Sequence, residues 1–143
     1  MTYNEFVIRP IILKGKIDHQ VEDVSFKWSI CLNAVPELSE RVQSSIHNTT
    51  EASILRYAQA KAELDRLQGE YDKAVADVRL FLYTNLRRED ADVLDWKYCD
   101  DKSIQQIADL KNLSYSGAAS KIYRADFRAA EAFRKSERNK ELP

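Results

Sequence analysis

From Tyr57 to Phe81 apolar residues recur in steps of three and four: Tyr57, Ala60, Leu64, Leu67, Tyr71, Ala74, Val78 and Phe81. Such steps average 3.5 residues, which places all of these side chains on one stripe of an α-helix. A strand would alternate every second residue. Twenty-five residues at ~1.5 Å each make a rod of roughly 37 Å, polar outside the stripe. A helix of this kind takes most of its stability from packing, so it requires a partner along its length.

A candidate partner lies upstream. Ile17, Val21, Val24, Trp28, Cys31 and Val35 form a second seam in a helix expected from about Tyr3 to Val35. Pro10 and Gly15 place its start or a bend near Pro10, with Phe6, Ile8, Ile11 and Ile12 packing irregularly. The spacing fits an antiparallel hairpin within one chain and equally a pairing between two copies. In the second case Tyr57, Leu64, Leu67, Tyr71 and Val78 are the oligomerisation residues of a homo-oligomer. Between the seams the pattern lapses through Pro36, Ser39, Ser44, Ser45, Asn48, Thr49 and Thr50. A short helix is expected over Pro36 to Val42, and Thr49 or Thr50 is expected to cap a second long helix that runs to about Asn85.

Three Gly and three Pro are too few for the turns of a sandwich or barrel, so the fold class is all-α. The expected architecture is a long helical hairpin or coiled-coil stalk over residues 1–86, followed by a helix-turn-helix bundle over 87–138. Cys31 and Cys99 are the only cysteines and stand in no CxxC or His-flanked group, so neither a disulfide framework nor a metal is expected. No apolar run nears the ~20 residues of a membrane span, and a soluble, cytoplasmic chain with no membrane partner is expected. His19 and His47 are isolated, and no glycine-rich phosphate loop or nucleophile elbow is present. No catalytic residue and no cofactor is therefore expected.

After Arg87-Arg88 the helical units become short. Glu89 to Tyr98 reads as a helix, Cys99-Asp100-Asp101-Lys102 as a turn, and Ser103 as the N-cap of a helix from Ile104 to Leu110. Ala108 is small where another helix must cross. Asn112, four residues on, tolerates the left-handed backbone that a sharp turn needs. Leu113 returns to the core, Ser114 or Ser116 caps, and a final helix is expected from about Gly117 to Lys135. Its apolar stripe is Ala118, Ile122, Ala125, Ala129 and Phe133, which Tyr123 and Phe127 are expected to widen beyond half the circumference. The remaining arc holds Gly117, Lys121, Arg124, Arg128, Glu131 and Lys135, with Ser120 at its border.

Net charge is -1, yet from Lys111 to Lys140 eight basic residues face three acids, a local charge of +5. A local basic field on a near-neutral chain suits sequence-directed binding, because phosphate contacts supply affinity without making the whole surface adhesive. The candidate DNA contacts are Ser103, Lys111, Ser114, Tyr115, Ser116, Ser120, Lys121, Arg124 and Arg128. Lys121, nearest the helix start, is expected to read bases and Arg128 to clamp phosphate. Periodicity alone also admits a three-helix bundle that touches only protein.

The run Glu89-Asp90-x-x-Val93-Leu94-x-x-Lys97-Tyr98, then Ser103-Ile104-Gln105-Gln106-Ile107-Ala108, then Asn112-Leu113-Ser114-Tyr115-Ser116 resembles the promoter-reading fourth region of sigma factors. It is similar also to the C-terminal part of small phage regulators of the RinA/ArpU late-activator type. The resemblance spans roughly residues 40 to 130 and is strongest from 89 to 125. Two departures stand out: the turn has Asn in place of Gly, and Ala118 occupies the place of a larger aliphatic. The resemblance implies a phage-type transcription regulator whose partners are double-stranded DNA and RNA polymerase. Two other classes join similar parts: a small terminase subunit, which usually carries its DNA-binding part first, and a protein-binding adaptor with a vestigial helix-turn-helix.

Overall fold

The computed structural model describes residues 1–33 and 43–141. They are all-helical, without a strand: α1 (Tyr3–Asn33), α2 (Gln43–Asn85), α3 (Arg88–Tyr98), α4 (Ile104–Lys111) and α5 (Tyr115–Glu141). No helix among them is long and apolar enough to cross a membrane. The chain divides into two compact units, one of Met1–Ile12 with Tyr71–Pro143 and the other of Leu13–Glu70. The unit that holds the short helices is thus larger than residues 87–138 and takes in both ends of the expected stalk.

Helix α1 starts seven residues ahead of Pro10 and carries it in its interior. A reciprocal cap begins it: Thr2 Oγ1 accepts from the Glu5 N–H at 3.2 Å, and the Glu5 carboxylate accepts from the Thr2 N–H at 3.1 Å. Proline removes one backbone donor, a loss offset here by burying its ring completely. Helix α2 likewise begins earlier than Thr49 or Thr50, which fall inside it. Neither threonine is a terminus, because hydroxyl and β-branched residues cost only tenths of a kcal/mol within a helix. The short helix expected over Pro36–Val42 and the seam residue Val35 lie outside the described residues.

In the unit Leu13–Glu70 the two long helices pair antiparallel. Gln20 Nε2 donates to the Ala60 carbonyl at 2.8 Å, and the Trp28 and Tyr57 rings stand 5.0 Å apart. Ala60 and Leu67 are buried against this partner face and Leu64 is half-buried. On α1 the inward positions are Leu13, Ile17, Gln20, Val24 and Cys31, whereas Val21 and Trp28 are exposed. Apolarity favours Val21 in the sequence, but the amide of Gln20 takes the inward place because it finds a carbonyl there.

In the other unit Val7, Val78, Leu82, Leu94 and Ile107 are almost wholly buried. Phe6, Phe81 and Phe133, from three different helices, meet with ring centroids 5.3 to 5.6 Å apart. Tyr71 reaches the Cys99 carbonyl at 3.4 Å. Of the expected oligomerisation residues, Leu67 and Val78 are buried within the chain, Leu64 and Tyr71 are half-buried, and Tyr57 stands beside Trp28.

The Asp126 carboxylate collects three donors in this unit: Tyr3 Oη and Tyr98 Oη, each at 2.8 Å, and Lys97 Nζ at 3.1 Å. Burial first, then the neighbouring Asp126 charge, raises both phenols above their ordinary value of 10.0. Below about pH 10 both are neutral whether the chain is folded or unfolded, and their contribution is whole. Above it the unfolded chain releases protons that the folded chain retains. Unfolding free energy should then fall by up to ~1.4 kcal/mol per pH unit for each tyrosine. Urea denaturation followed by circular dichroism across this range should show the fall, and the Tyr3→Phe/Tyr98→Phe variant should have a shallower slope, the remainder coming from Cys99 and Tyr83, which burial raises as well.

Candidate nucleic-acid interface

Helix α3 ends in a tight return in which the N–H groups of Cys99 and Asp100 both reach the Asp95 carbonyl and that of Lys102 reaches Trp96. Asp101 takes a left-handed backbone there, with φ 52°. Ser103 then starts α4 with a full capping box: its hydroxyl accepts from the Gln106 N–H at 3.2 Å, and the Gln106 side chain accepts from the Ser103 N–H at 2.8 Å. The box fixes the first turn of a helix only eight residues long.

That helix stops at Asn112, whose φ of 54° and ψ of 43° are left-handed. Its reversal lets the Leu113 N–H reach back to the Ala108 carbonyl at 2.9 Å, which satisfies an end group that would otherwise be orphaned. Ser114 begins α5 by accepting from the Gly117 N–H at 3.1 Å. A Cβ on Gly117 would stand 3.0 Å from that hydroxyl oxygen, so glycine leaves the cap its room. Because Ser114 is the cap, α5 starts at Tyr115 rather than Gly117, and it continues beyond Lys135 to Glu141.

The residues proposed for DNA fall into three groups. Ser103 and Ser114 have their hydroxyls committed to capping α4 and α5. Tyr115, Ser116, Ser120 and Arg124 are exposed on α5, with Arg124 Nε 3.4 Å from the Ser120 carbonyl of its own helix. The remaining cations lean on neighbours: Lys111 Nζ lies 5.5 Å from the centre of the Trp96 ring, Lys121 Nζ 3.7 Å from Glu89, and Arg128 2.8 Å from Asp90. Glu89 is exposed and its pairing is loose, whereas the Asp90 side chain is only 10% accessible.

Tyr123 and Phe127 depart from expectation. Rather than widening the buried stripe, they are 72% and 59% exposed. The buried line of α5 is Ala118, Ile122, Ala125, Ala129 and Phe133 alone, narrow because three of its five members are alanine. Close approach of α3 and α4 over those alanines leaves no room for a broader apolar face. The outward line is Ser116, Ser120, Tyr123 and Phe127, flanked by Arg124.

Sequence reasoning passed over Asp90 and Asp126. A signal existed for the second, an acid set among Ile122, Ala125 and Ala129 beside the apolar stripe. Cys99 is a buried thiol pushed up to about 12, chiefly by burial and then by Asp95, and so stays protonated at neutral pH. Among the described residues no group of three His, Cys, Asp or Glu side chains stands ready to hold a metal ion. Comparison with protein-family models, with curated proteins and with solved structures finds no match to the chain.

The Arg128 pairing alters what its removal should do. Truncation would leave a nearly buried carboxylate without its cation, which costs about 1–3 kcal/mol. Urea denaturation of Arg128→Ala should show a loss in that range, and adding Asp90→Asn should recover part of it.

Proposed function

We propose that the chain is a phage-type transcription regulator that binds double-stranded DNA at promoters through α4, the Asn112 turn and α5. The observation that carries this reading is the combination of a box-capped eight-residue helix, a left-handed reversal and a following helix whose outer line is exposed. In helix-turn-helix proteins that arrangement lets the second helix enter the major groove while the first crosses the backbone. The exposed line supports it chemically, with short Ser116 and Ser120 near the helix start and Arg124 further along.

Only part of the basic arc is free for phosphate. Arg128 answers Asp90 and serves the fold, Lys121 is held loosely by an exposed glutamate, and Arg124 meets no carboxylate among the described residues. The clamp role expected of Arg128 passes to Arg124 in this reading. A module with so few free cations binds weakly at physiological salt, and RNA polymerase as a co-binder would supply the missing affinity.

The test is selection of bound fragments from phage DNA, followed by binding measurements across salt concentrations on a recovered duplex. Recovered promoter fragments would support the reading. A packaging site would favour a terminase role, and no recovered fragment would favour a protein adaptor. Arg124→Ala should leave the circular dichroism spectrum unchanged and lower the slope of log affinity against log salt by about one unit. An unchanged slope would remove Arg124 from the phosphate contacts.

A further inference from the structure

The outward line of α5 is unusual for a surface that reads bases by hydrogen bonding. Between residues 115 and 127 the exposed residues are Tyr115, Ser116, Ser120, Tyr123, Arg124 and Phe127. No Asn, Gln, Asp or Glu is among them, so the bidentate contacts to adenine and the acceptors for cytosine are missing. Arg124 is the long donor among these six, and its Nε already lies near the Ser120 carbonyl, while Lys121 and Arg128 beside them are paired with Glu89 and Asp90. What the line does offer is two well-exposed aromatic rings one helical turn apart.

In the major groove of duplex DNA the thymine C5-methyl is the apolar feature that distinguishes one base pair from another. On the strength of the duplex-DNA reading above, we infer that Tyr123 and Phe127 are specificity-determining residues that pack on thymine methyl groups, and that the preferred site is marked by thymines rather than by guanine contacts. Placement favours DNA over a protein as the occupant. The rings lie on the helix that follows the Asn112 turn, in line with Ser116 and Ser120, whose small side chains let the backbone approach base edges. Arg124 beside them supplies the positive charge that a phosphate backbone complements. Both rings stand clear of the buried line of α5, so their replacement leaves the packing of Ala118, Ile122 and Ala125 untouched.

The probe is a duplex enriched from a randomised double-stranded pool by the full chain, then synthesised in two forms, one with thymine and one with deoxyuridine at every such position. Deoxyuridine keeps the base pairing and removes only the methyl group. The thymine duplex should bind about fourfold more tightly for each methyl contacted, the transfer value of one buried carbon. Tyr123→Ser and Phe127→Ser, made separately and checked by circular dichroism, should each reduce that ratio while the salt dependence set by Arg124 stays. Equal affinity for the two duplexes would overturn the inference while leaving DNA binding in place. So would a ratio that persists in both variants, a preference for the single strand, or variants that keep the ratio and lose only their hold on purified RNA polymerase. Failure to enrich any duplex would instead overturn the duplex-DNA reading, and this inference with it.

Discussion

The carboxylate of Asp126 accepts hydrogen bonds from Tyr3, Lys97 and Tyr98, and by doing so it ties the start of α1 and the end of α3 to the middle of α5. Both phenolic contacts are 2.8 Å, and the two tyrosines are buried. A half-buried carboxylate with three donors loses far less on desolvation than one left bare, and charged acceptors make the stronger hydrogen bonds. The three phenylalanines Phe6, Phe81 and Phe133 close the apolar side of the same junction. The orientation of α5, and so the direction in which its outer line looks, depends on this polar and aromatic pair of contacts acting from different sides.

A second constraint is electrostatic. Glu89 and Asp90 occupy the first turn of α3, where acids suit the partial positive charge of a helix start. Their position also engages two cations of α5, Arg128 closely through Asp90 and Lys121 loosely through the exposed Glu89. Charge that appears in the sequence as a continuous basic arc is thus partly neutralised by α3. Under the DNA-binding proposal, fewer free cations mean less sequence-independent affinity, and discrimination rests more on the outer line of α5.

Much of this was legible beforehand. The seam from Tyr57 to Phe81, the capping role of Ser103 and the left-handed turn at Asn112 follow from local rules, because periodicity, hydroxyl caps and αL tolerance act over a few residues. The cap Thr2-Tyr3-Asn4-Glu5 was legible too, as a Thr with Glu three residues on, though Pro10 drew attention to a later start. Less legible was the place of Gln20, since a polar residue turns inward only where a carbonyl awaits it.

Sequence by itself determined that the described residues are helical and, to within a residue, where α3 and α4 begin and end, whereas Leu113, expected in the core, is exposed. Tertiary structure alone decided that Gln20 of α1 faces Ala60 of α2, that Arg128 serves Asp90, and that Tyr123 and Phe127 look outward. The physical reason is that helical periodicity fixes a residue's angle about its own axis and nothing about what stands opposite. At 100° per residue, side chains at the edge of a stripe are buried or exposed according to how closely the neighbouring helices approach. On α5 that distance was set by alanines, which bring α3 and α4 near and leave both rings outside.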